Sequence, residues 1–188
     1  MRTSASNAAA NGDGGIPSLV MRRGPAPLPP LALPPGVCLL AFREDGGPAA
    51  WAHIVNTAFG RDFTFDEKMR AEPAFRPERI FFLGQGGQPV AVAAAWEREK
   101  CPPGTGYLHY VAVLPEARGQ ALGYWVSLAA LHQMRREGNL SAILETQDER
   151  LPAIKTYLKL GFAPDLTGHK SYPARWEKIL AQLSGGGP

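Results

Sequence analysis

Hydrophobic positions in this chain fall into short continuous runs and longer stretches of helical spacing, and their order sets out the fold. Residues 37–42, Val37-Cys-Leu-Leu-Ala-Phe42, form a run of strand length. Gly46, Gly47 and Pro48 then open a helix, with Pro48 at a first-turn position that tolerates proline. Ala50, Trp51, Ile54, Val55 and Phe59 give that helix one apolar face. A short second helix is predicted over 66–71. Two further runs, 79–83 and 89–96, flank Gly84-Gln-Gly-Gly-Gln88, a turn that predicts a hairpin. Another strand follows over 106–114. From 118 to 136 the spacing is helical again, with Leu122, Trp125, Val126, Ala129 and Met134 on one face and Gly138 as the stop. A strand at 142–144, a helix at 152–160 ended by Gly161, and a last helix at 176–183 complete the order. An antiparallel meander ahead of a strand–helix–strand unit predicts an α+β or mixed α/β fold, with a central mixed, mostly antiparallel sheet flanked by helices.

The ends of the chain lack this patterning. Residues 1–35 are rich in Ala, Gly, Pro and Ser, and Gly24-Pro-Ala-Pro-Leu-Pro-Pro30 can enter neither a helix nor an inner strand. We expect a disordered tail over 1–35, one folded domain over 36–183 and a flexible end over 184–188. Met1 and Met21 both stay open as the native start.

Composition narrows the function classes. A length of 188 residues suits one domain, and 45% hydrophobic content suffices for a core. A net charge of +3 does not supply the dense basic face of a nucleic-acid binder, so no nucleic acid is expected. No apolar run approaches the ~20 residues that span a membrane, and Met1-Arg-Thr-Ser4 leads into no apolar leader core. The expectation is a soluble, cytoplasmic protein with no membrane partner. Cys38 and Cys101 are far apart, and His53, His109, His132 and His169 are scattered, so no metal is expected.

The stretch that carries chemistry runs from Tyr107 to Tyr124. A strand ends near Val113, Pro115 breaks it, and a helix is expected to start at Arg118. A helix start offers free N–H groups and partial positive charge, which suit a phosphate. Gly119 and Gly123 would let a diphosphate approach the main chain, and Arg118 would add a charged donor; turn, packing and surface roles for these three stay open. The spacing fits neither Gly-x-Gly-x-x-Gly nor Gly-Lys-Ser/Thr.

Val111-Ala-Val-Leu-Pro-Glu-Ala-Arg-Gly119 followed by Gln120-Ala-Leu-Gly-Tyr124 resembles motif A of the GNAT superfamily of N-acyltransferases, Gln/Arg-x-x-Gly-x-Gly/Ala. Ala121 stands where the family usually has its first glycine. Ala153-Ile-Lys-Thr-Tyr-Leu-Lys-Leu-Gly-Phe162 resembles motif B, with Arg150 in place of a frequent asparagine. The resemblance covers about residues 37–165 and departs beyond them, where Lys170-Ser-Tyr-Pro173 and a helix replace two strands.

The resemblance implies a GNAT fold and acyl transfer from acetyl-CoA, or another acyl-CoA, to a primary amine of a small molecule or peptide by direct attack. A catalytically silent acyl-CoA-binding module is the alternative. It implies a cofactor site on Val111, Ala112 and Val113, which meet the pantetheine arm. Arg118, Gly119, Gln120, Ala121, Leu122, Gly123 and Tyr124 would surround the phosphates, and Arg150, Ala153 and Tyr157 would complete the site. Main-chain N–H groups over 110–113 would steady the carbonyl oxygen. Tyr157 would protonate the leaving thiolate. An alkylamine with a pKa near 10.4 must lose a proton before attack. His109 and, secondly, Glu145 are the candidate bases, each with a structural role as the other possibility. Trp51, Phe59 and Phe63 could line the acceptor pocket, with core packing as the other reading of Trp51, and 62–75 could cover it. The protein would be a monomer or homodimer.

Overall fold

The computed structural model describes residues 16–185. In chain order its strands are β1 (Leu19–Arg23), β2 (Val37–Ala41), β3 (Ile80–Gln85), β4 (Gln88–Trp96), β5 (Thr105–Val113), β6 (Ser141–Thr146) and β7 (Ala163–Pro164). The α-helices are α1 (Gly47–Phe59), α2 (Leu122–Arg136), α3 (Leu151–Lys159) and α4 (Tyr172–Gly185). Among the described residues the strands form one sheet in the order β2-β3-β4-β5-β6-β1-β7. The pairing of β5 with β6 is parallel and the other ladders are antiparallel. This is the mixed, mostly antiparallel sheet that the hydrophobic pattern predicts.

The core lies where α1 and α2 meet β4 and β5 from opposite faces. β4 is buried on both sides, so its alanines form a continuous apolar run rather than an alternation. Gly106 lies against α2: a Cβ there would come within 2.6 Å of Met134 Sδ. On the other face Trp51 of α1 meets the Tyr110 ring edge-on, with centroids 4.9 Å apart. Trp51 is fully buried, which agrees with the core-packing reading.

The tail expected over 1–35 requires correction. Residues 1–15 lie outside the described residues, but folded structure begins well before Val37. β1 inserts between β6 and β7, pairing Leu19 with Thr146 and Met21 with Leu144. Leu19 and Met21 are fully buried, worth about 2–3 kcal/mol each by transfer. The proline-rich stretch after β1 crosses toward β2 at the far edge of the sheet. Prolines bring carbonyls without N–H groups, and side chains serve those carbonyls. Arg135 Nη2 donates to Pro25 O at 2.8 Å and Ala26 O at 2.6 Å, and His132 Nε2 lies 2.9 Å from Pro29 O. Leu28, Leu31 and Leu33 pack against the core. Low periodicity here reflects an extended strap, not an unfolded one. At the other end, 184 and 185 belong to α4, and 186–188 lie outside the described residues.

Other boundaries shift for local reasons. The segment at 66–71 is a single π-helical turn, Asp66–Arg70. α2 begins at Leu122 rather than Arg118, because Pro115–Ala117 first forms a 3-10 turn and Gly119 takes a left-handed conformation. α4 starts four residues earlier than the apolar spacing suggests, at Tyr172.

Candidate active site

Strand β5 is the axis of the site. Its pairing with β6 covers only Thr105–Tyr107 against Ser141–Ile143, after which the two strands part. Beyond Tyr107 the β6-facing edge of β5 therefore presents main-chain groups that no strand covers. On the other edge the register with β4 slips between Val92 and Ala94, so two residues of β5, Tyr110 and Val111, stand opposite the single Ala93. Tyr110 sits there at φ +45°, a β-bulge that turns the strand.

Alternation along β5 puts His109 on the face of Tyr107 and Val111, and the three line one cleft; the bulge adds Tyr110 to that side. In the structure the His109 and Tyr110 rings lie 4.0 Å apart, and Tyr107 is 5.4 Å from His109. The extra residue brings neighbouring side chains to the same side.

The parting strands open a cleft of about 130 Å3. It is walled by β5 from Tyr107 to Val111, by Arg98 after β4, by Glu145 of β6 and Gln147 just beyond it, by Arg150 and Tyr157 of the α3 region, and by Phe59 at the end of α1 with Arg61 and Phe63 after it. Asn56 holds the last of these segments, its side chain bonding Phe63 N at 2.8 Å and Phe63 O at 2.9 Å. Thus Tyr157, His109 and Glu145, read from separate parts of the sequence, share one cavity.

Their surroundings set their states. Tyr157 is buried, and burial pushes its phenol up to about 12 despite the opposing charge of Arg150. It holds its proton at neutral pH. His109 sits among aromatic rings, and this burial drives its pKa well below the ordinary range; the nearby Arg98 guanidinium acts in the same direction. It is a neutral imidazole. Glu145 is not a free carboxylate: Oε1 accepts from Arg98 Nη1 at 3.1 Å and from Lys100 Nζ at 3.0 Å. Arg98 also stacks on Tyr107, its Cζ 3.7 Å from the ring centroid. Two cations thus share one oxygen of this carboxylate.

At the far end of β5 lies the loop before α2. Arg118, Gly119, Gln120 and Ala121 are all exposed. The N–H groups of Gly119, Gln120 and Ala121 donate to no acceptor among the described residues. Those of Leu122 and Gly123 belong to the first helical turn, where no preceding carbonyl is in reach. Five main-chain donors thus cluster at the positive end of a 15-residue helix. Gly119 has φ +82°, which favours glycine. At Gly123 a Cβ would meet only Val113 Cγ2, at an ordinary 3.7 Å, so protein packing leaves space beside this main chain. Ala121 is not right-handed helical as its type suggests: it caps α2 at φ +56°. A glycine would take that conformation without strain. The Gln120 side chain accepts from Gln85 Nε2 at 2.6 Å, and Tyr124 stacks edge-on against Trp125.

Val111 faces the cleft, Ala112 is buried in the core, and Val113 lies under Gly123. Ala153 is half-buried one turn before Tyr157 on α3. Arg150 precedes α3, with its Cζ 4.6 Å from the Phe59 ring centroid. Arg98, Arg61 and Gln147 were not legible as site residues. The one signal for Arg98 is the charged segment Glu97-Arg-Glu-Lys100 directly after an apolar strand. Among the described residues no group of three or more His, Cys, Asp or Glu side chains could hold a metal, and no helix is long and apolar enough to cross a membrane.

A bulged strand that parts from its parallel neighbour, followed by an amide-lined loop and a helix, defines the acyltransferase fold of GNAT type. The chain belongs to the acetyltransferase (GNAT) family, whose model matches residues 49–162. It is 32% identical over 151 residues to a mycothiol acetyltransferase of Nocardia farcinica, covering 73% of this chain and 48% of that protein. It is 34% identical over 155 residues to a mycothiol acetyltransferase of Frankia alni, covering 73% and 46%. The chain thus spans about half the length of these curated relatives. The structure of a GCN5-related N-acetyltransferase from Sphaerobacter thermophilus shares the fold, with a TM-score of 0.62, 21% identity, and coverage of 80% of this chain and 50% of that one.

Proposed function

We propose that this protein moves an acetyl or short acyl group from acyl-CoA to a primary amine by direct attack. The observation that carries this reading is a single groove along β5 with matched chemistry at its ends. One end offers five unused main-chain donors. The other holds a protonated phenol beside a neutral imidazole. The loop fits a diphosphate, because Gly119, Gln120 and Ala121 are exposed and Gly123 leaves room for close approach. The uncovered edge of β5 fits an extended amide-bearing arm, which would pair with it as a strand does.

Acyl-CoA supplies the thioester carbonyl that the amine attacks. Around it the chain's own groups divide the work. The N–H groups of 119–123, with Arg118, hold the phosphates. Main-chain N–H groups at the bulge, 110–113, face charge growing on the carbonyl oxygen. Tyr157 is the proton donor to the departing sulfur. His109, neutral at physiological pH, takes the proton the ammonium must shed, directly or through water. Glu145, bound by Arg98 and Lys100, positions those cations rather than acting as base. The relatives' name makes a small-molecule amine the favoured acceptor over a peptide.

Thiol release from acetyl-CoA with a panel of amines tests the reading. Amine-dependent release is expected. CoA binding without release from any amine would leave a silent binding module instead.

A further inference from the structure

The cleft carries a charge imbalance that acyl transfer alone does not use. Three arginines, Arg61, Arg98 and Arg150, face one carboxylate, Glu145. That carboxylate is already shared by Arg98 and Lys100. Asp148, two residues before Arg150, is bound to Arg175. Glu149 is exposed and forms no ion pair among the described residues. Arg150 therefore reaches the cleft half-buried and in no ion pair among the described residues, and its burial outweighs the more distant attraction of Glu149.

The guanidinium is held by stacking on Phe59. Stacking covers the flat face and leaves the N–H donors, which lie in the plane, free for a ligand. None of those donors meets an acceptor among the described residues. An unpaired charge withdrawn from water is costly, and an anionic ligand removes that cost. Nearby in the same cleft, Gln147 Oε1 is buried with no partner. It is an acceptor awaiting a donor such as a ligand N–H or O–H.

We propose that the acceptor amine also carries an anionic group, a carboxylate or a phosphate, which Arg150 binds with Arg61 in support. This rests on the acyl-transfer reading above.

The test uses matched acceptors on the full chain: an α-amino acid against its amide, and an amino sugar phosphate against the unphosphorylated sugar. Turnover is read by thiol release and acceptor binding by calorimetry. The wild type should favour the anionic member by about ten-fold or more in kcat/KM, as a charge-assisted contact implies; which pair shows the larger preference separates carboxylate from phosphate. Arg150→Met should erase the preference by raising the acceptor KM, while the acyl-CoA KM holds. Arg150→Lys, which keeps charge and fold, should retain part of it. Equal or better use of the neutral members overturns the proposal, as does an Arg150→Met effect confined to the acyl-CoA KM. Binding of the anionic member without thiol release defeats the transfer reading but upholds the anion site. Neither binding nor release defeats both.

Discussion

The two ends of the β5 groove recognise their ligands by opposite means. At the α2 end the working groups are chiefly main-chain amides, with Arg118 as the one charged side chain assigned there. At the cleft end they are mostly side chains drawn from at least five separate segments, and burial tunes Tyr157 and His109. A site made of main chain depends on backbone conformation, so it tolerates changes of side chain and fails when a φ angle is forced. A site made of side chains fails one functional group at a time.

The largest effect should come from the cleft. Tyr157→Phe removes one hydroxyl and should lower kcat by about 100-fold, while CoA affinity measured by calorimetry stays within error. Unaltered turnover would break the assignment. The same burial should appear in stability. His109 has a lowered folded pKa, so between that value and the ordinary 6.5 the unfolded chain binds more protons, and stability falls as pH drops through this window. Tyr157 has its pKa raised from 10 to about 12, so stability falls as pH rises above 10. Thermal unfolding across pH should show both losses. His109→Ala should remove the acid one, and its pH–rate profile should change; an unchanged profile removes His109 from the proton path.

The loop end should respond to conformation next. Gly119→Val places a branched side chain at φ +82°, at about 1–2 kcal/mol. CoA should bind about ten-fold more weakly, with kcat at saturation nearly kept. Wild-type affinity would show that the loop's shape is not what grips the phosphates. A side-chain change should matter less. Arg118→Gln should weaken CoA by about three- to five-fold at low salt, and by less as salt screens the charge. The smallest effect is expected from Ala121→Gly. It relieves the left-handed strain but loosens the unfolded chain, for a net gain of at most about 1 kcal/mol in thermal unfolding.

This contrast also explains what the sequence reveals. The loop was legible because motif, strand, break and helix lie within one short segment, and glycines mark where the main chain must be bare. Even there, the helix start and the conformation of Ala121 were misread, because a 3-10 turn and a left-handed cap leave no periodic trace. The cleft was legible only in part. Tyr157 lies in a local motif, but the shackling of Glu145 by Arg98 and Lys100 joins segments 45 and more residues apart. The bulge at Tyr110 adds one residue to a strand whose pattern still reads as regular. β1 was lost because five residues of strand precede a run of prolines, and composition averaged over that region hides Leu19 and Met21.

The claim that main-chain donors at 119–123 hold a diphosphate is tested most directly by calorimetry with CoA and with pantetheine, which lacks the phosphates. The account predicts a saturable heat for CoA that Gly119→Val weakens, and little or none for pantetheine. No heat with CoA, or equal affinity for the two, would contradict it.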